Sequence, residues 1–295
     1  MEAFKQILAV TNRNEDPSAI LDKIAALEAA GEAKIQVIRV IHENLVEYGK
    51  MSAEDAQALK VFIMQAEEEQ LTEQLEAHLG RFANLESATI WNKRVSSGVV
   101  DVAKDLGADL VVKSTDSGPQ GIARHPDDWN LIRETPCPVW LVGNQPLSKT
   151  PVVTTALDAL DVEHEDVNLR ILDTGAAFAD QLSGKLEVIS AYPALKPWAS
   201  SGYAGLDLVR MQHELAEEVE VRCRYLLEKL EIQADSIQTG EGNPEQAIIE
   251  LTDASGSDVV VLGTAARHGV SAWVIGNTSE LLLGHLERDL LVLHI

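Results

Sequence analysis

The sequence predicts an α/β fold: two tandem, open, five-stranded, mostly parallel sheets with flanking helices. Three observations lead there. Short apolar runs rich in Val, Ile and Leu alternate with longer stretches of helical period. That alternation runs twice, in the same order. The chain is also 45% hydrophobic but only 4% aromatic, a balance that suits buried parallel strands covered by helices. Its 295 residues are enough for two domains of ordinary size.

The first half opens with the strand Ile7-Leu8-Ala9-Val10. A helix over residues 17–30 follows, with Ile20, Ile24 and Leu27 on one face. The strand at residues 35–41 comes next. Ser52-Ala53-Glu54-Asp55 then resembles a capping box and starts a long helix to about Leu79. A strand near Ala88-Thr89-Ile90-Trp91, a helix over 98–106 and the strand Leu110-Val111-Val112 continue the alternation. A helix around Trp129-Asn130-Leu131-Ile132 and the strand Val139-Trp140-Leu141-Val142 close the half.

The second half repeats this order. Strands are predicted at 153–157, 186–191, 234–239, 258–262 and 290–294, and helices at 167–182, 206–230, 243–254 and 278–286. Ala108-Asp109-Leu110-Val111-Val112 answers Ser257-Asp258-Val259-Val260-Val261, and residues 135–142 answer 286–293. The linker Gly-Asn-Gln-Pro-Leu-Ser-Lys-Thr at 143–150 carries turn formers and no apolar period. The domains are therefore read as 1–146 and 151–295.

Bulk properties exclude several classes of partner. Net charge is −23, a poor field for nucleic acid or an anionic membrane surface. No apolar run approaches the roughly 18 residues of a membrane helix, and no signal peptide is visible. The two cysteines, Cys137 and Cys223, have no partner motif and read as small core thiols of a reducing cytoplasm.

One loop stands out near the end of the chain. Asp258-Val259-Val260-Val261-Leu262 leads into Gly263-Thr264-Ala265-Ala266-Arg267-His268-Gly269, and Gly276-Asn277-Thr278-Ser279-Glu280 opens the next helix. A strand, a glycine-bearing loop and a helix N-terminus together gather free N–H groups suited to an anion. These residues resemble the universal stress protein family. Its nucleotide-binding members carry Gly, two residues, Gly, nine residues, then Gly-Ser or Gly-Thr after the fourth strand. Gly263, Ala266, Gly276 and Asn277 occupy those places. An Asp ending the first strand is matched by Asp158 in Thr155-Ala156-Leu157-Asp158. Tandem members also share the Gly-Asn-Thr-x-Glu sequence and an Asp-Trp-x-Leu-x-Arg helix, here Asp128-Trp129-Asn130-Leu131-Ile132-Arg133.

The resemblance implies a stress-response protein that binds ATP or another adenine nucleotide, with Mg²⁺ offsetting the acidic field. Asp158 would lie near base or ribose, and the backbone of Ala191 near adenine. Gly263, Thr264, Ala266, Gly276, Asn277, Thr278 and Ser279 would hold phosphates. Ala266 adds a Cβ where the family has glycine, and Asn277 replaces a hydroxyl, so the motif is modified. An inherited loop that serves only tight turns, and a nucleotide-free scaffold, remain alternatives. So does Asp158 as a turn residue capping the next segment. The first half has no such glycine spacing after Ser114, and Thr11 rather than an Asp ends its first strand; that half is read as degenerate.

The resemblance further implies that the two fifth strands pair across a pseudo-two-fold axis with Trp140 near it, an internal pseudo-dimer; a further homodimer stays open. No catalytic constellation is visible, so the chain is not read as an enzyme, and no metal-ligand set is read. Neither His268 nor His294 has a second His or a carboxylate at ligand spacing in the sequence, and both read as surface or loop histidines. His164-Glu165-Asp166 reads as an acid-rich helix start, and Glu67-Glu68-Glu69 as a solvated helix face. The segment 192–203, with Tyr192, Trp198 and Tyr203, reads as a lid or a surface excursion.

Overall fold

The structure is a computed structural model that describes residues 4–13, 15–44, 51–114, 126–143, 145–195, 207–264 and 288–295. The first half contributes strands β1 (Gln6–Thr11), β2 (Lys34–Ile41), β3 (Asn84–Trp91), β4 (Leu110–Ser114) and β5 (Val139–Val142). Its helices are α1 (Ser18–Ile24), α2 (Ala53–Glu76), α3 (Val95–Leu106) and α4 (Pro126–Glu134). The second half gives β6 (Val152–Leu157), β7 (Lys185–Tyr192), β8 (Ser236–Glu241), β9 (Val259–Thr264) and β10 (Asp289–His294). Helices α5 (Glu165–Gln181), α6 (Leu208–Lys229) and α7 (Pro244–Ser255) cover them. The predicted helix at 278–286 lies outside the described residues.

The strands form one sheet in the order β3-β2-β1-β4-β5-β10-β9-β6-β7-β8. Each half is parallel with the same internal order, and the halves meet edge to edge where β5 and β10 pair antiparallel. The register there matches Leu291 with Trp140. These two residues are also counterparts in the repeat, because Val139 pairs with Val111 as Leu290 pairs with Val260. The pseudo-two-fold axis therefore passes through the Trp140–Leu291 pair, as expected of a pseudo-dimer. Edge pairing also removes both fifth strands from exposure.

Strands buried on both faces are continuously apolar, as in Val259-Val260-Val261-Leu262, where every residue is at most 4% exposed. Two apolar cores result, one on each face of the sheet, and each draws residues from both halves. Trp140 is fully buried. It meets Phe178 of α5 edge-on at 5.0 Å between ring centres, and Phe178 in turn meets Phe4 at 6.0 Å. Aromatic packing thus ties the first half to α5 of the second. Lys23 of α1 and Asp289 of β10, both buried, pair at 2.5 Å across the same junction.

Local chemistry sets the element ends. Ser52 Oγ accepts the Asp55 N–H at 3.1 Å, so the predicted cap starts α2. Asn243 caps α7, with Pro244 at its first position. Both α3 and α7 stop at a left-handed glycine, Gly107 (φ 64°) and Gly256 (φ 68°). The predicted helix at 17–30 is broken: α1 ends at Ile24, Leu27 turns extended (ψ 132°) and is buried, and a 3₁₀ turn covers Glu28–Gly31. The solvated face predicted at Glu67-Glu68-Glu69 is also corrected. Glu67 is buried and pairs with Arg13 and with the fully buried Arg39. Asp128 of the Asp-Trp-x-Leu-x-Arg helix pairs with buried Lys113 at 2.8 Å, fastening α4 to β4. Burial pushes both thiols, the half-buried Cys137 and the buried Cys223, up to about 12, in line with unreactive cysteines.

Candidate ligand site at the strand ends

In each half the strand order reverses between its first and fourth strands, and open α/β sheets bind ligands beyond the carboxyl ends of strands at such a point. In the second half this point lies between β6 and β9. Asp158 follows β6 directly. Its main chain is held by one buried amide: the Asp158 N–H donates to Asn168 Oδ1 at 3.0 Å, and Asn168 Nδ2 donates to the Asp158 carbonyl at 2.8 Å. The carboxylate stays outward, with 62% of the side chain exposed. Pairing of β6 with β7 stops at Leu157 and Ser190, so Ala191 lies just past the last pair. Asp158, Ala191, Tyr192, Gly242 and Pro244 border a cavity of about 600 Å³. Two predicted residues, Asp158 and Ala191, are thereby brought to one site.

Gly263 and Thr264 are the last residues of β9 rather than the start of a loop, and their partners in β10 are Leu293 and His294. A Cβ on Gly263 would come within 2.6 Å of Ile171 Cδ1 and 3.0 Å of Ile295 Cδ1. The glycine thus admits α5 close to the sheet. Thr264 is buried, and its hydroxyl donates to the Leu293 carbonyl at 3.2 Å. Ala266, Gly276, Asn277, Thr278 and Ser279 lie outside the described residues, as does His268. The segment 192–203 is described only to Leu195.

The same point in the first half is built differently. Register makes Asn12 the counterpart of Asp158, Glu15 of Asp161, Arg39 of Ser190 and Ser114 of Gly263. An amide thus stands where the second half has a carboxylate, a detail hidden when Thr11 is taken as the comparable residue. Glu15 Oε2 accepts the Asn12 N–H at 2.9 Å and the Ser114 hydroxyl at 2.6 Å. Arg39 Nη2 donates to the Glu15 carbonyl at 3.1 Å and to Gln74 at 2.9 Å. Arg13 bonds Glu67 at 2.6 Å and also pairs with Glu43. At this point the described polar side chains bond to one another.

Sequence reading missed two neighbours of Asp158. The carboxylate of Asp161 and the imidazole of His164 converge on it. His164 Nδ1 lies 3.2 Å from Asp158 Oδ2 and 3.4 Å from Asp161 Oδ2. The signal was present as an Asp-x-x-Asp-x-x-His spacing, in which Asp161 Oδ1 caps the Glu163 N–H at 2.9 Å. Capping of the segment thus falls to Asp161, not to Asp158.

Among the described residues, no helix is long and apolar enough to cross a membrane. The model of the universal stress protein family matches residues 3–143 and again 158–294. The chain is 26% identical to universal stress protein E of Escherichia coli K12, over 99% of this chain and 95% of that protein. It is 27% identical to the universal stress protein E homolog of Haemophilus influenzae, over 98% of this chain and 96% of that one. Among solved structures, a putative universal stress protein of Pseudomonas aeruginosa superposes with a TM-score of 0.69 at 21% identity, covering 99% of this chain and 94% of its own. One from Archaeoglobus fulgidus gives 0.65 at 14% identity, with 98% of both chains covered. With two matched repeats and a sheet assembled from two identically ordered halves, the chain belongs to the universal stress protein family in a tandem-domain arrangement.

Proposed function

We propose that this is a stress-response ligand-binding protein whose second half takes an adenine nucleotide, weakly, at the strand ends. The observation that carries this reading is the contrast between the two switch points. At one, Asp158 and Ala191 border a cavity of about 600 Å³, within the range of small-ligand sites. At the other, Glu15 and Arg39 are tied into hydrogen bonds with each other and with Ser114, and Arg13 pairs with Glu67. The exposed carboxylate of Asp158 suits a hydrogen bond from a ribose hydroxyl. Main chain past Ser190 suits the edge of a base. The phosphates fall to the sequence around Gly276-Asn277-Thr278-Ser279.

Charge keeps the affinity low. From Thr150 onward the chain carries 9 Lys+Arg against 24 Asp+Glu, so a polyphosphate would enter with Mg²⁺. Among the described residues no nucleophile–base pair is assigned at this site, and the protein is proposed to bind rather than to turn over its ligand. A second reading, a nucleotide-free adaptor, is favoured by Gly263, whose missing Cβ is accounted for by the close packing of Ile171 and Ile295.

Calorimetry with MgATP on the purified full chain separates the two. Binding that is lost in Gly276→Val and weakened in Asp158→Ala, but kept when Glu15 is replaced by Gln, supports the nucleotide site. Absence of binding at millimolar MgATP overturns it in favour of the adaptor.

A further inference from the structure

We propose that Asp158, Asp161 and His164 form a binding site for a divalent transition metal of the zinc class, on the rim of the second-half cavity. Among the described residues these three bring one ligand atom each to within 4.8 Å of one another. An imidazole nitrogen among the donors separates this set from the purely acidic clusters expected on so anionic a surface.

The spacing fits coordination. Metal–donor bonds of about 2.0–2.2 Å place neighbouring donors about 2.8–3.6 Å apart, the octahedral centre at the lower end and the tetrahedral at the upper. The two His164–carboxylate separations are 3.2 and 3.4 Å. A neutral Nδ1 facing two carboxylates puts lone pairs against lone pairs, or gives a single N–H to share between two anions. A cation among the three relieves this. A plain His–carboxylate hydrogen bond and a bound metal are separable by experiment.

The donors are also held in place from outside the set. Asn168, 2% exposed, clamps the main chain of Asp158 on both sides. The Glu163 N–H occupies Asp161 Oδ1 and leaves Oδ2 for the site. Such supporting bonds lower the ordering cost of coordination. Both aspartates border the 600 Å³ cavity, so positions on the metal left open by protein would face it. One nitrogen and two carboxylates suit zinc-class ions over Mg²⁺, which prefers oxygen and holds its water. Glu163 and Asp166 add to the local field that draws cations in, whereas Glu165 is paired with Lys229.

The test uses the full chain, stripped with chelator and free of nucleotide, so its outcome is independent of the ATP reading. Zn²⁺ is titrated by calorimetry, and Co²⁺ by the visible absorption of a coordinated ion. One site is expected, weakened more than about tenfold by His164→Ala and also by the shape-preserving Asp158→Asn. His213→Ala is expected to keep it, since that ring is 79% exposed on α6 beside Glu217. Circular dichroism checks that each variant is folded. No Zn²⁺ binding, or binding that survives His164→Ala, overturns the proposal and leaves a His–carboxylate contact without metal.

Discussion

Lys23 and Asp289 show how much one residue can decide in this chain. Both are nearly inaccessible, one on α1 of the first half and the other opening β10 of the second. Asp289 also accepts the Gly143 N–H at 2.9 Å. Lys23→Ala strands a buried carboxylate, at a cost of about 3–5 kcal/mol in urea unfolding at neutral pH. The pair Lys23→Met with Asp289→Leu costs less, since no buried charge is then left alone and the losses are the bonds Asp289 accepts from neutral groups such as the Gly143 N–H. The pH dependence has a definite sign. Burial pushes the Asp289 carboxyl up, against the opposing pull of Lys23. A carboxyl raised in the fold contributes stability below its unfolded value and loses it as pH rises through the folded one. Without Lys23 that rise is larger, so the deficit is expected to shrink as pH falls toward about 4. A deficit independent of pH would mean that the ion pair is not what the substitution removed.

At the scale of elements, one device is used twice. Asp109 and Asp258 sit just ahead of β4 and β9, and each turns its carboxylate onto the N–H groups that start the neighbouring strand. Asp109 takes those of Lys5 and Gln6. Asp258 takes those of Ser148 at 2.7 Å and Val152 at 2.8 Å, together with the Ser148 hydroxyl. Asp258→Ala therefore frees the linker end and the first residue of β6 together. A loss of about 2–3 kcal/mol is expected in denaturant unfolding, with amide exchange quickened at Val152. Elements of this kind were largely legible. Apolar runs gave the ten strands, and the cap at Ser52 gave a helix start, because period and capping are local properties. The break at Leu27 was not legible, because the 17–30 pattern is periodic throughout and tertiary packing decides where the chain leaves the helix. Glu67 failed for the same kind of reason: its triplet of acids looks solvated until Arg39, 28 residues away, is brought beneath it. At the candidate site, Asp158 was found by its place after a strand. Asp161 and His164 were passed over, because a donor set is a fact about three side-chain directions and sequence shows only their spacing.

The whole molecule bears on how the two repeats unfold. Tandem domains joined by a plain linker melt separately when their interface is small and polar. Here the junction is a strand pair inside a single sheet, and both cores cross it. Trp140 lies on the pseudo-two-fold axis and packs on Phe178 of the other half. Opening the junction would expose β5, β10 and the face of α5 at once, so neither half has a low-cost partly unfolded state. A single cooperative transition is expected, with far-ultraviolet dichroism and tryptophan fluorescence superimposing over the denaturant range. Trp140→Ala deletes the largest fully buried side chain of the junction and should cost about 3–5 kcal/mol. If the halves are one cooperative unit, that loss moves the whole transition to lower denaturant. A plateau between two transitions in the unaltered chain would show instead that the repeats fold as separate units despite their shared sheet.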